Sequence, residues 1–371
     1  MTNQQIKLFL SVDIYGSTKL KNSNNYYQIQ NYCQEFLETL NKINQESVNK
    51  TELKEVYASI CEKYEHQDWS QIIRQCFTDF NIEFIKRRTD AKISDEEILP
   101  WKMAGDELIY CITVNSRKEV HDNLLAFFKT LRFFDKEYAK KENRIRLKGS
   151  AWTAGFPIRN RIMKPIEVID SDEYEDTKLD YMGPEIDIGF RIGKFTFPGI
   201  IVCSIELVCI LLDGRLGLQS DKSKFRVIDT GWETLKGVWN GKKYPIYWIA
   251  LPLDCENEED IKYTPYKEWD LEEDSHVKQY ALKLNTDLKK YDEISDLIDQ
   301  LPKEFDIEKP YFVTDGEVAP EKHKKRLEFI KIVDDYQRRK TSQNEQLGQQ
   351  RKIEKTSYEV LKQIEDIVKN K

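Results

Sequence analysis

Residues 6–18, IKLFLSVDIYGST, alternate apolar and polar side chains and then break off at an aspartate. Ile6, Leu8, Leu10 and Val12 fall on one face, the period of two that marks a β-strand. The strand thereby delivers the carboxylate of Asp13 into the turn Gly16-Ser17-Thr18. Backbone N–H groups from Ile14 to Thr18, followed by a helix start, are placed to cradle phosphate oxygens. No GxxxxGK[ST] loop is present in the sequence.

A second punctuated stretch, WKMAGDELIY at 101–110, lies between the apolar runs Ile98–Trp101 and Leu108–Val114. Its small residues predict a hairpin with Asp106 near the tip. Between the two aspartates, helical spacing predicts helices over 24–47 and about 52–79. Beyond the hairpin the pattern predicts a helix over roughly 118–141 and a strand over 144–157 (RIRLKGSAWTAGFP). An acidic loop at 159–179 and a short helix over 183–194, after Asp180-Tyr181-Met182, come next. Further strands are predicted near 200–203, 225–230 and 243–251. Strand, helix, hairpin, helix, strand is the order of an α+β fold with a ferredoxin-like βαββαβ core and an antiparallel-rich sheet. One catalytic module over 1–252, with a helical insertion near 48–96, is expected.

From Leu253 the composition turns to Lys, Glu, Asp and Gln, with helical stretches near 268–300 and 319–369 punctuated by Pro302, Pro310 and Pro320. Region 253–371 is read as a separate helical appendage, regulatory or dimer-stabilising, whose last helix aligns Tyr358, Leu361, Ile364 and Ile367.

Bulk properties narrow the function. The chain is 40% apolar and 33% charged, and it lacks the roughly 18 uninterrupted apolar residues of a membrane span. With no cleavable leader pattern after Met1, a soluble cytoplasmic protein is expected. A net charge of −7 argues against nucleic acid as a partner. The seven cysteines show no CxxC pair and are read as reduced core thiols. His66, His121, His276 and His323 have no zinc-ligand spacing and are read as surface residues.

Chemistry then rests on carboxylates. Asp13 at a strand end and Asp106 in a hairpin form the arrangement by which two acids bridge a pair of hard divalent cations. Two such ions serve both ends of a phosphoryl displacement.

FLSVDIYGST at 9–18, WKMAGDELIY at 101–110 and DYMGPEIDIGFRIGK at 180–194 together resemble the three signatures of class III nucleotidyl cyclases, over most of residues 1–252. The resemblance implies that Asp13, Asp106 and the carbonyl of Ile14 bind two Mn2+ or Mg2+ ions, with Gly16, Ser17 and Thr18 beside the phosphates. It maps a base-contacting pair onto Lys102 and Asp180. It maps the ribose-orienting and phosphorus-stabilising pair onto Asp187, where most of the family has Asn, and Arg191. Lys236 falls where the family often has a triphosphate-binding lysine. The family builds each site across a homodimer, one subunit giving the metal aspartates and the other Lys102, Asp180, Asp187 and Arg191.

Asp187, the Gly-Phe-Arg-Ile context and a Tyr-rich N-terminal helix resemble the bacterial Pycsar pyrimidine cyclases of anti-phage defence. That implies conversion of UTP to 3′,5′-cyclic UMP and diphosphate, the product serving as second messenger for an effector. Cytidylate cyclase, acting on CTP, and then adenylate cyclase are the alternatives, since Lys donor and Asp acceptor also suit adenine. A catalytically inert cyclase-like binding module is the non-enzyme alternative, opposed by retention of both aspartates. A diguanylate cyclase would need Gly-Gly-Asp/Glu-Glu-Phe, whereas this hairpin reads Ala104-Gly105-Asp106-Glu107-Leu108.

Overall fold

The computed structural model describes residues 5–22, 34–39, 41, 54–55, 58–59, 62, 69–93, 98–139, 145–163, 179–216, 225–250, 291–301, 305, 307, 309–333 and 336. The expected helix over 24–47 lies mostly outside them, as do the stripe at Tyr358–Ile367 and most of the 268–300 stretch.

Strand β1 (Gln5–Tyr15) is central because both of its edges are paired and both of its faces are covered. Ile6, Leu8, Leu10, Val12 and Ile14 enter the main core, while Phe9 enters a second cluster on the opposite face. A one-residue slip would exchange these sets, so the alternation fixes the register. On one side β1 runs antiparallel to β3 (Glu107–Val114), which pairs with β2 (Lys102–Ala104); on the other it runs antiparallel to β4 (Arg146–Phe156). The sheet order β2-β3-β1-β4 is the ferredoxin-like arrangement that the sequence predicts. Three more strands extend it: β7 (Ile201–Cys203) parallel to β4, then β9 (Lys243–Ala250) and β8 (Arg226–Thr234). A separate ribbon pairs β5 (Arg161–Met163) with β6 (Asp180–Met182).

Helix α1 (Ser17–Asn22) follows β1 directly. Helices α2 (Trp69–Asp90) and α3 (Arg117–Ala139) cover the main face, where Phe80 and Phe84 each meet Phe127 edge-on at 5.5 Å. Most of the described part of the expected insertion is α2, which buries Ile73, Cys76, Phe77, Phe80 and Phe84. Helix α4 (Pro184–Ile192) lies on the other face, close to Trp152.

Several expectations are corrected. The first hairpin strand begins at Lys102 rather than at Ile98. Helix α5 (Ile205–Leu212) was not predicted: IELVCILL is buried nearly all round and shows no period, and Ser204 caps it by accepting from the N–H of Leu207. His121 and His323 are buried, not on the surface; His121 packs edge-on against Phe225 and pairs with Asp122 at 3.0 Å. Cys111, Cys203 and Cys209 are free thiols, as expected.

The compact unit built on the sheet runs from Gln5 to Glu317, past the boundary expected after residue 252. Helix α6 (Tyr291–Gln300) puts Ile294 and Ile298 into the core, and Phe305 stacks on Trp239 at 4.5 Å. Buried Arg117 pairs with Asp213, Asp315 and Glu317, holding the end of this unit to the start of α3. In the second unit, Met1–Gln4 with Val318–Lys371, residues 321–333 are helical. Among the described residues no helix is long and apolar enough to cross a membrane.

Candidate active site

Strand β1 and the β2–β3 hairpin end side by side. Gly16, with φ of 72°, turns the chain from β1 into α1, and Gly105, with φ of 71°, shapes the hairpin tip; L side chains rarely adopt such values. The N–H of Ile14 donates to the carbonyl of Asp106 at 3.2 Å, so backbone alone fixes the two aspartates near each other. Register sets Asp13 opposite Glu107 on β3 and opposite Lys148 on β4.

Each carboxylate there has a partner. Lys148 Nζ lies 2.9 Å from Asp13 Oδ2, and Lys21 Nζ lies 3.1 Å from Asp106 Oδ1. The hydroxyl of Ser17 donates to Asp106 and that of Ser11 donates to Glu107. Burial raises the Asp13 carboxyl above its ordinary value; Lys148 opposes this and the charge of Asp106 adds to it. Burial raises Glu107 as well, against the hydrogen bond from Ser11 and with the charges of Asp13 and Asp106. At Asp106 burial pushes upward, but the bonds from Ser17 and Lys21 outweigh it and leave the carboxyl below its usual range.

The donor set fits a hard cation. Two carboxylates and the Ile14 carbonyl are oxygen ligands of the kind that hold Mg2+ or Mn2+ when waters and substrate phosphates complete the shell. The two ammonium groups already stand where positive charge is favoured. Among the described residues no group of three or more His, Cys, Asp or Glu is arranged to hold a metal ion.

Other expected residues gather on separate elements. On α4, Arg191 Nη1 is 3.3 Å from Asp187 Oδ1 and donates to the Asp187 carbonyl at 2.9 Å. A Cβ built on Gly237 would lie 3.8 Å from Arg191 Nη2, so the turn carrying exposed Lys236 is a neighbour of that guanidinium. Lys102 on β2 reaches Asp180 on β6 at 3.4 Å, both about half exposed. Next to them the Trp101 indole donates to the carbonyl of Leu179 at 2.8 Å. Thr18 is exposed on α1. The phosphate cradle expected over 14–18 is shortened, because the Ile14 N–H is taken by Asp106.

The structure thus assembles Asp13, Ile14, Gly16, Ser17 and Asp106 at one place. It pairs Lys102 with Asp180, and Asp187 with Arg191, elsewhere. Among the described residues no hydrogen bond or ion pair joins Asp13 or Asp106 to Lys102, Asp180, Asp187 or Arg191.

Sequence reasoning missed Lys148, Lys21, Ser11 and Glu107. It also missed the seat of α4. There Glu185 is buried, accepts from the Gly155 N–H at 2.7 Å and from Asn160 Nδ2 at 2.6 Å, and pairs with Arg159 Nε at 3.1 Å. Burial pushes Glu185 up to about 7, with Arg159 opposing and the charge of Glu206 reinforcing the shift. Gly189 is the contact point with the sheet, since a Cβ there would lie 2.2 Å from the Trp152 ring. Lys148 is one of three cations in RIRLKGSAW, so the local sequence did not single it out.

No protein-family model and no curated protein matches the chain. Solved structures similar to it include the adenylyl cyclase CyaB from P. aeruginosa, with 12% identity, a TM-score of 0.39, and 69% of this chain covered against 98% of that one. The guanylyl cyclase Cya2 has 13% identity, a TM-score of 0.39 and coverage of 69% and 96%. The guanylate cyclase domain of RhGC from Catenaria anguillulae in complex with GTP has 8% identity, a TM-score of 0.38 and coverage of 67% and 99%. At these scores the likenesses decide nothing about chemistry.

Proposed function

We propose that the chain is a nucleotidyl cyclase that converts UTP to 3′,5′-cyclic UMP and diphosphate at sites shared between two copies. The observation that carries this reading is the backbone-fixed pair Asp13 and Asp106, one at a strand end and one at a hairpin tip of a ferredoxin-like sheet. Bound there, two Mg2+ or Mn2+ ions supply acidification of the ribose 3′-hydroxyl and neutralisation of the departing diphosphate.

The remaining work belongs to side chains. Arg191 answers the negative charge that grows on the phosphoryl oxygens, and a guanidinium fixed by Asp187 does so with little reorganisation. Lys102 offers a donor and Asp180 an acceptor, which match O4 and N3–H of uracil once their mutual ion pair opens. In this reading Lys236, which precedes the Gly237 that neighbours Arg191, contacts the triphosphate. The separation of the two residue groups within one chain supports a homodimer in which each site takes Asp13 and Asp106 from one copy and Lys102, Asp180, Asp187 and Arg191 from the other. In this reading cyclic UMP is a second messenger that activates an effector in anti-phage defence.

Purified protein given each of the four nucleoside triphosphates with Mn2+, followed by chromatography of the products, tests the reaction. Cyclic UMP is the expected product; cyclic CMP or cyclic AMP would move the assignment to the alternative bases. No cyclic product from any of the four would leave the inert binding module.

A further inference from the structure

Two lysines that the proposed reaction does not use sit directly on its two aspartates. Lys148 and Asp13 are neighbours on adjacent strands, with side chains only 15% and 30% exposed. Lys21 reaches Asp106 from α1 and lies 5.8 Å above the ring of Trp69, a second seat that a cation can use. Asp13 and Asp106 are each matched by one ammonium, Lys148 and Lys21, in a partly buried place, with Glu107 beside them and hydrogen-bonded by Ser11. A divalent ion entering alone must displace an ammonium from its carboxylate and lie close to it, and this repulsion is costly where water is scarce. Metal ions arriving with a triphosphate bring their own counter-charge, and the displaced ammonium groups then face phosphate oxygens.

We propose that Lys148 and Lys21 are exchangeable internal cations that keep Asp13 and Asp106 neutralised in the empty site, so that divalent ions bind tightly only together with the nucleotide. This inference rests on the cyclase reading above and specifies how its metals enter. The coupling is reciprocal: whatever factor the nucleotide contributes to metal affinity, the metal contributes to nucleotide affinity.

Mn2+ titration followed by electron paramagnetic resonance, with and without α,β-methylene-UTP, tests it in wild type, Lys148→Met and Lys21→Met. Removing the competing ammonium is expected to tighten nucleotide-free Mn2+ binding by roughly tenfold in Lys148→Met and to shrink the tightening caused by the nucleotide. Lys21 is more exposed, so its variant should move in the same direction by less. Lys21→Met also keeps the question answerable should Lys148→Met fail to fold. Asp13→Asn, which should lose the Mn2+, identifies the site. Unchanged or weaker nucleotide-free Mn2+ binding in the folded lysine variants would overturn the exchange while leaving the metal site standing. Absence of Mn2+ binding in every protein would overturn both. The predicted gain in affinity, without cyclic product from any triphosphate, would keep the exchange and remove the reaction.

Discussion

The carboxylate end of the sheet and the α4 surface are held in place by different means. Asp13 and Asp106 are set by strand register, two glycine turns and the Ile14 to Asp106 backbone bond, so their placement depends little on any other side chain. Asp187 and Arg191 ride on a nine-residue helix whose position depends on a buried polar anchor and one missing methyl group. The two regions should therefore fail differently: the first through loss of the reacting groups themselves, the second also through distant changes that shift α4.

Asp106→Ala and Arg191→Ala should have the largest effect, each lowering cyclic nucleotide formation by roughly a thousandfold or more, since one loses a ligand for the metal ions and the other the cation that faces the phosphoryl oxygens. Mixing the two inactive proteins should restore activity through hybrid dimers with one intact site. Failure of that rescue, with both variants folded and exchanging subunits, would place both regions in one copy's site and erase the contrast.

Glu185→Leu comes next. It deletes the carboxylate that pairs with buried Arg159, and breaking a buried pair typically costs about 3–5 kcal/mol. Thermal or urea unfolding should show the loss, and kcat should fall while Mn2+ affinity at Asp13 and Asp106 is retained. Loss of Mn2+ affinity along with kcat would mean that the two regions are not independent.

Gly189→Ala is expected to be milder, about 1–3 kcal/mol, because its new Cβ collides with Trp152 and α4 must lift off the sheet to relieve the contact. Activity should fall more than the melting temperature suggests, because Asp187 and Arg191 move with the helix. An alanine variant with unchanged activity would show that the seat of α4 tolerates displacement.

The sequence made the carboxylate end legible and left the other region half hidden, for physical reasons. Period-two alternation in IKLFLSV and the small residues around Asp106 are local signals, and each maps onto a structural consequence in its own segment. Lys148 is legible only once β1 is paired with β4, because its neighbour Asp13 is far away in the chain. The anchor Glu185 looks like an ordinary acidic residue in the first turn of a helix until burial and Arg159 are visible. Helix α5 has no polar face and therefore no period to detect. The compositional change after Leu253 is real, yet it does not show that Ile294, Ile298, Phe305 and Phe312 bury themselves in the core.

The smallest effect is one of pH, and it isolates the α4 anchor. Glu185 ionises near 7 in the folded chain against an ordinary 4.5, with burial the main cause and Arg159, Glu206, Asn160 and the Gly155 N–H around it. Between those two values the folded protein holds a proton that the unfolded chain has released. Raising the pH through this window therefore lowers stability, by at most about 1.4 kcal/mol per pH unit for one proton, and the loss levels off above 7. Glu185→Gln keeps an acceptor for the Gly155 N–H and for Arg159 but has no proton to lose. Glu206, whose carboxyl burial also raises, is present in both proteins, and because its charge acts on Glu185 the comparison reads the proton held by the two together. Calorimetric melting at pH 5, 6, 7 and 8 should show wild type losing stability across the range relative to Glu185→Gln. Parallel curves would mean that Glu185 stays ionised beside Arg159, which would make the α4 anchor as insensitive to its surroundings as the carboxylate end of the sheet.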